Sequence, residues 1–168
     1  MKITCLGDSF TEGYLVEKSY VDYLKEAGYE TINLGRNGDM TSDLLRRFKA
    51  NKCDLLIVFA GTNDLYQGVS AEIACANIKE ILKMSKANKN LIIIPPYIEE
   101  EEAYPIYELI NNTIDSYGEM LEGLPYPTID ARKIPPSYYI DGLHMREDFH
   151  QRLSLIHISE PTRLLSIS

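Results

Sequence analysis

The sequence predicts a three-layer, doubly wound α/β domain built on a five-stranded parallel sheet. Three observations carry this. Short apolar runs of strand length alternate along the chain with stretches whose apolar residues recur at i, i+3, i+4 and i+7. The central run, Leu55-Leu56-Ile57-Val58-Phe59, is apolar on both faces, as a strand covered by helices on each side must be. No internal repeat and no linker interrupts the alternation, so the 168 residues read as one unit.

Taken in order, Ile3 to Leu6 is the first strand. A helix follows around Tyr20 to Ala27, with Tyr20, Tyr23, Leu24 and Ala27 on one face and Gly28 as its stop. Thr31 to Leu34 is the second strand, and Thr41 or Ser42 can cap a helix carrying Leu44, Leu45 and Phe48. After the central strand, Ser70 caps a helix with Ile73, Ala74, Ile78, Ile81 and Leu82 at helical spacing. Leu91 to Ile94 is a fourth strand, closed by Pro95-Pro96. The acidic run 99–102 suits a helix N-terminus, and the helix it introduces carries Tyr107, Ile110, Ile114, Tyr117 and Leu121. A short fifth strand lies near Thr128-Ile129, and a last helix begins after His144.

Composition narrows the function classes. A formal charge of −8 argues against nucleic acid as the main partner, because phosphate binding needs clustered Lys and Arg. No apolar stretch approaches the roughly 20 residues of a membrane helix, so no membrane span is expected. The first residues are too soon interrupted by Gly7-Asp8 to read as a signal peptide. Three cysteines, two of them (Cys5 and Cys53) in or beside strand-like runs, fit buried free thiols in a reducing, cytoplasmic compartment. No His/Cys/Asp cluster has metal-ligand spacing, so neither metal nor cofactor is expected.

Four short stretches fall at or beside the carboxyl ends of the predicted strands, where doubly wound sheets place their working residues. They are Gly7-Asp8-Ser9-Phe10-Thr11-Glu12-Gly13, Gly35-Arg36-Asn37-Gly38-Asp39, Gly61-Thr62-Asn63-Asp64 and Asp141-Gly142-Leu143-His144. A serine hydroxyl needs a neighbouring base to take its proton as it attacks. His144 suits that task near neutral pH for Ser9. Asp141, three residues earlier in a tight turn, can bond the far ring nitrogen, fixing the tautomer and stabilising the imidazolium. Donors for an oxyanion are available in the Ser9 N–H, in Gly38, whose backbone a ligand can approach closely, and in the Asn63 amide. Nucleophile, base, orienter and donors together make a set complete for ester hydrolysis.

With these four blocks in this order, the sequence resembles the SGNH hydrolases, also called the GDSL lipase/esterase family, over roughly residues 1–153. The resemblance implies the flavodoxin-like SGNH hydrolase fold, with Ser9 as nucleophile, His144 as base, Asp141 as its partner, and Ser9, Gly38 and Asn63 as the oxyanion hole. Phe10 stands where the family name has Leu. A small-molecule ester is the implied partner. The few insertions favour an open site for short-chain, acetyl-type esters, with an acetylated carbohydrate as the alternative. A flavodoxin-like nucleotide- or phosphate-binding module is the reading of another class, since Gly7 to Gly13 superficially resembles a phosphate loop; it lacks that loop's Lys-Ser/Thr.

Each residue alone also has a plain structural explanation. Ser9 could cap a helix, Asn37-Gly38 and Asp141-Gly142 are common turn pairs, and Asn63-Asp64 could be a cap. Asp8 and Asp64 suit loop-holding hydrogen bonds better than direct chemistry. Thr11, Glu12 and Arg36 are candidates to line the pocket, as are Tyr14, Tyr66, Tyr138 and Tyr139 in loops beside the motifs. His150 and His157 read as exposed or tail residues. From Ser154 to residue 168 the helical pattern is lost and Pro161 should end any helix. That tail reads either as foreign to the natural protein or as an ordinary frayed C-terminus.

Overall fold

A computed structural model describes residues 1–99, 105–134 and 139–165, the last helix by backbone alone beyond residue 156. Five parallel strands, β1 (Lys2–Gly7), β2 (Glu30–Gly35), β3 (Leu55–Phe59), β4 (Lys89–Ile94) and β5 (Thr128–Asp130), lie in the order β2-β1-β3-β4-β5. Helices α1 (Ser9–Glu12), α2 (Tyr20–Glu26), α3 (Thr41–Arg47), α4 (Thr62–Tyr66), α5 (Ala71–Met84), α6 (Tyr107–Glu122) and α7 (Glu147–Leu165) connect and follow them.

The two-residue period of the strands divides the core. Leu56 and Val58 of β3, with Leu6, Ile92 and Ile94, face one side, where Leu44 of α3, Ile78 and Ile81 of α5 and Ile114 and Leu121 of α6 cover them. Leu55, Ile57 and Phe59 face the other, with Ile3, Cys5 and Ile93, under Tyr20 and Leu24 of α2 and Phe149 and Leu153 of α7. All five residues of β3 are buried, which is why that strand carries no polar side chain. Each large apolar side chain so buried contributes about 1.5–3 kcal/mol.

Glycines let the strand ends close over one another. Gly7 and Gly35 pair in register at the ends of β1 and β2. A Cβ on Gly7 would sit 2.1 Å from Thr11 Oγ1, and one on Gly35 would sit 2.0 Å from the Glu12 N. Only glycines at both strand ends let α1 turn back tightly across the edge of the sheet.

Several local expectations are corrected. Neither Thr41 nor Ser42 caps α3: Met40 is the cap residue, its N–H bonded to Asp43 Oδ2 at 3.0 Å, while the Thr41 hydroxyl is drawn to Asp64. The helix α6 starts at Tyr107, and Glu100 to Glu102 of the acidic run lie outside the described residues. Ile73 and Ala27 keep helical spacing but stay exposed, because each lies at the margin of its apolar stripe. The helical pattern also does not stop at Ser154. Phe149, Leu153 and Ile156 hold the i, i+4, i+7 face that packs on the core, and the backbone remains helical through Pro161 to Leu165. A proline removes a single i→i−4 bond, and the ladder on either side of it persists here.

Candidate active site

Asp8 shapes the first part of the site. It is the N-cap of α1, its Oδ1 accepting the Phe10 N–H at 3.1 Å, so Ser9 is the first helical residue and not a cap. A residue in that position has its N–H outside the helix's own hydrogen-bond ladder. The helix end is thus capped by a carboxyl of the chain itself. Asp8 is wholly buried and its Oδ2 has no hydrogen-bond partner among the described residues. Burial foremost, with Asp64 and Asp39 adding to it, pushes its carboxyl up to about 7.

The imidazole comes from the turn between β5 and α7. Asp141 Oδ1 accepts the N–H of Leu143 at 3.0 Å and of His144 at 2.6 Å, folding the turn around the carboxylate. Gly142, at φ 80, supplies the positive-φ step. The Ile140 N–H donates to the His144 carbonyl at 2.8 Å and closes the turn from outside. Asp141 Oδ2 then lies 2.7 Å from His144 Nδ1, and His144 Nε2 lies 3.1 Å from Ser9 Oγ. Ser9, His144 and Asp141 thus form one continuous hydrogen-bonded line. Partial burial raises the Asp141 carboxyl, but the bonds from the His144 ring and the two amides outweigh it and hold it below the usual range. It is therefore anionic at neutral pH.

The loops after β2 and β3 complete the edge. Gly38, at φ 82, is third in a turn from Arg36 to Asp39 closed by a 3.2 Å backbone bond. Asn63, the second residue of α4, donates its amide to the Asp39 carbonyl at 2.9 Å, which ties the Gly38 turn to the start of α4. Asp64 beside it is buried and accepts both the N–H and the hydroxyl of Thr41. Thr11 is buried against the Tyr20 hydroxyl at 3.1 Å, and Glu12 accepts the Asn37 N–H at 3.2 Å; both hold loops, while Arg36 is exposed. Tyr14 lies 5.0 Å, ring to ring, from His144, and Phe10 lies 6.0 Å from it while stacking on Phe59. Tyr138 and the His157 side chain lie outside what is described.

His150 corrects the expectation of an exposed residue. It is 1% exposed, its Nδ1 accepts the Tyr20 N–H at 3.2 Å, and its ring lies parallel to that of Tyr20. Burial holds it down at about 4, so it is neutral packing between α2 and α7.

Sequence reasoning missed the braces. Arg47 bonds Asp39 Oδ2 at 2.6 Å and the carbonyls of Gly7 and Leu34 at 3.1 and 2.8 Å, joining the ends of β1 and β2 to the loop that follows β2. Asn111 on α6 clamps both the N–H and the carbonyl of Ile98, each at 2.9 Å. The Glu99 N–H reaches the Gly142 carbonyl at 2.8 Å, and the Tyr139 hydroxyl reaches the Tyr97 carbonyl. The segment after β4 therefore borders the His144 turn. No periodicity marks such contacts, since each joins an ordinary polar residue to a partner at no fixed spacing along the chain.

Residues 5–152 match the GDSL-like Lipase/Acylhydrolase family. No curated protein matches the chain significantly. Among solved structures, a lipase/acylhydrolase from Enterococcus faecalis is 25% identical, with TM-score 0.77 over 95% of this chain and 94% of that one. A lipolytic protein of the G-D-S-L family from Veillonella parvula DSM 2008 is 16% identical, with TM-score 0.78 over 97% and 99%. Est24, a carbohydrate acetylesterase from Sinorhizobium meliloti, is 18% identical, with TM-score 0.74 over 97% and 99%. With its sheet order and its family match agreeing over nearly the whole domain, the chain belongs to the GDSL-like lipase/acylhydrolase family and is a carboxylic ester hydrolase.

Proposed function

We propose that the chain is a serine esterase that hydrolyses short-chain acyl esters, acetyl esters foremost, through an acyl-enzyme on Ser9. The observation that carries this is the line from Ser9 Oγ to His144 Nε2 at 3.1 Å and from His144 Nδ1 to Asp141 at 2.7 Å. Ser9 Oγ attacks the ester carbonyl carbon while its proton passes to Nε2. The carbonyl oxygen becomes an oxyanion that takes hydrogen bonds from the N–H of Ser9 and Gly38 and the amide of Asn63. Collapse breaks the bond to the alcohol, which leaves with the proton from Nε2. Water then attacks the acyl-enzyme, gives a proton to Nε2, and the acid departs as Ser9 Oγ regains that proton.

An acetylated carbohydrate is the second reading. It is favoured by an exposed tyrosine beside His144 and by structural neighbours described as a carbohydrate acetylesterase and an acetyl-xylooligosaccharide esterase. The three cysteines are free thiols, which supports a reducing, cytoplasmic setting. Among the described residues no helix is long and apolar enough to cross a membrane.

The test is hydrolysis of p-nitrophenyl acetate, with fluorophosphonate labelling of wild type and Ser9→Ala. Turnover and labelling that both vanish in the variant support the reading. Persistent labelling would identify another nucleophile. Acetate release from acetylated xylo-oligosaccharides, compared with the aryl ester, separates the two substrate readings.

A further inference from the structure

Beside His144 the chain holds an apolar shelf that the chemistry above does not use. Tyr14 is 40% exposed although its ring packs 5.0 Å from the imidazole at an interplanar angle of 59°. The next residue, Leu15, is 52% exposed and sits at φ 66, the one non-glycine with positive φ among the described residues. A leucine in the left-handed region is strained, and here the strain holds an apolar side chain out in water. The loop is built to hold that shape. The N–H groups of Gly13 and Tyr14 both bond the Ser9 carbonyl at 3.0 Å, and the Glu17 N–H bonds the Glu147 carboxylate at 2.9 Å. A hydrogen-bonded loop that sets an exposed ring against the imidazole, followed by an exposed leucine on a strained backbone, is the mark of a contact surface.

Resting on the esterase reading, we infer that Tyr14 and Leu15 are the subsite for the alcohol half of the ester, and that this alcohol carries a ring with an apolar face. The direction follows from the geometry. The oxyanion points to the loops of Gly38 and Asn63, whereas the departing oxygen must reach His144 Nε2 to collect its proton. What is attached to that oxygen therefore comes to lie beside the group packed on the imidazole, which is Tyr14. A flat aromatic face gains most from another flat face, whether an aryl ring or the CH face of a pyranose.

Because every acetate gives the same acetyl-enzyme, kcat/KM compares alcohols through the acylation step alone. The experiment measures kcat/KM of wild type, Tyr14→Ala, Tyr14→Phe and Leu15→Asn on phenyl acetate, a monoacetylated methyl xylopyranoside and ethyl acetate. Asparagine tolerates the left-handed conformation, so Leu15→Asn removes the apolar surface without new strain. The ratio of ring acetate to ethyl acetate is expected to fall about 3- to 10-fold in Tyr14→Ala, to fall in Leu15→Asn, and to be kept in Tyr14→Phe. Whether the phenyl or the xylosyl ratio falls further identifies the kind of ring. Equal losses on all three esters would overturn the inference and reduce Tyr14 to packing for His144; an unchanged ratio in active enzyme would overturn it too. A wild type that neither turns over nor labels at Ser9 removes the esterase reading and this inference with it.

Discussion

Asp64 accepts the Thr41 N–H at 2.8 Å and the Thr41 hydroxyl at 2.6 Å, both bonds buried. One carboxylate thereby locks the start of α4 to the start of α3, and with it the two loops that hold Asn63 and Gly38. Burial raises the Asp64 carboxyl, against the pull of the two Thr41 bonds.

Asp64→Ala leaves two buried donors without an acceptor, and removal of a buried charged partner of this kind costs about 2–4 kcal/mol. The variant should lose that much unfolding free energy in urea titration and lose kcat through the loosened donors. Thr41→Val, which removes only the hydroxyl, should cost less. Urea titration of both variants checks the order; an equal cost would mean that the Thr41 hydroxyl, which also accepts from the Asn77 amide at 3.0 Å, holds as much as the whole Asp64 carboxylate.

Asn63 makes a sharper kinetic prediction. If its amide serves the oxyanion, Asn63→Ala lowers kcat by about 10²–10³ with little change in KM. Its other visible task, the 2.9 Å bond to the Asp39 carbonyl, is shared with the Arg47 brace on the same residue. Loss of that bond alone should therefore leave Tm nearly intact. A large fall in Tm with a small fall in kcat would assign Asn63 to structure.

Gly61 was legible as part of a motif but not for its own reason. At φ 122, a Cβ there would meet the Tyr117 ring at 2.4 Å, and the Tyr117 hydroxyl donates to the Ala60 carbonyl at 3.0 Å. Gly61→Ala meets both a clash and a disfavoured backbone angle, so the expected loss is about 3 kcal/mol or more in urea titration. Adding Tyr117→Leu should recover only the part due to the clash. Full recovery would show that the backbone angle costs nothing.

These cases show what the sequence made legible. The alternation of Leu55 to Phe59 with flanking helical stripes was enough for the sheet, because burial on two faces leaves its pattern in every residue of the strand. The four blocks were legible because Gly, Ser, Asn, Asp and His at strand ends have few other reasons to gather. Arg47, Asn111 and Tyr117 were not. Their partners lie anywhere from 8 to 57 residues away with no common spacing, and such contacts leave no period. His150 misled for a related reason: a histidine near the chain end looks exposed until α7 is seen to pack against α2. The break expected at Pro161 failed because a proline within a helix removes one ladder bond without ending the helix on either side of it.

Two buried groups next to the site set opposing pH dependences of stability. His150 is held near 4 in the fold against an ordinary 6.5. Between those values the unfolded chain binds the extra proton, so His150 contributes stability that is whole above 6.5 and is lost as pH falls toward 4, about 3 kcal/mol in all. Asp8 is held near 7 against 3.8, mainly by burial. There the folded chain binds the extra proton, so stability is lost as pH rises from 3.8 to 7, about 4 kcal/mol in all. Across pH 4 to 6.5 these two slopes oppose each other. Asp8→Asn keeps an acceptor for the Phe10 N–H and removes one slope, so its stability should climb with pH through this window. His150→Gln keeps a polar acceptor and removes the other, so its stability should fall. Urea titrations at half-unit steps from pH 4 to 7 read all three curves. Variants that both stay parallel to the wild type would show that neither group titrates differently on folding.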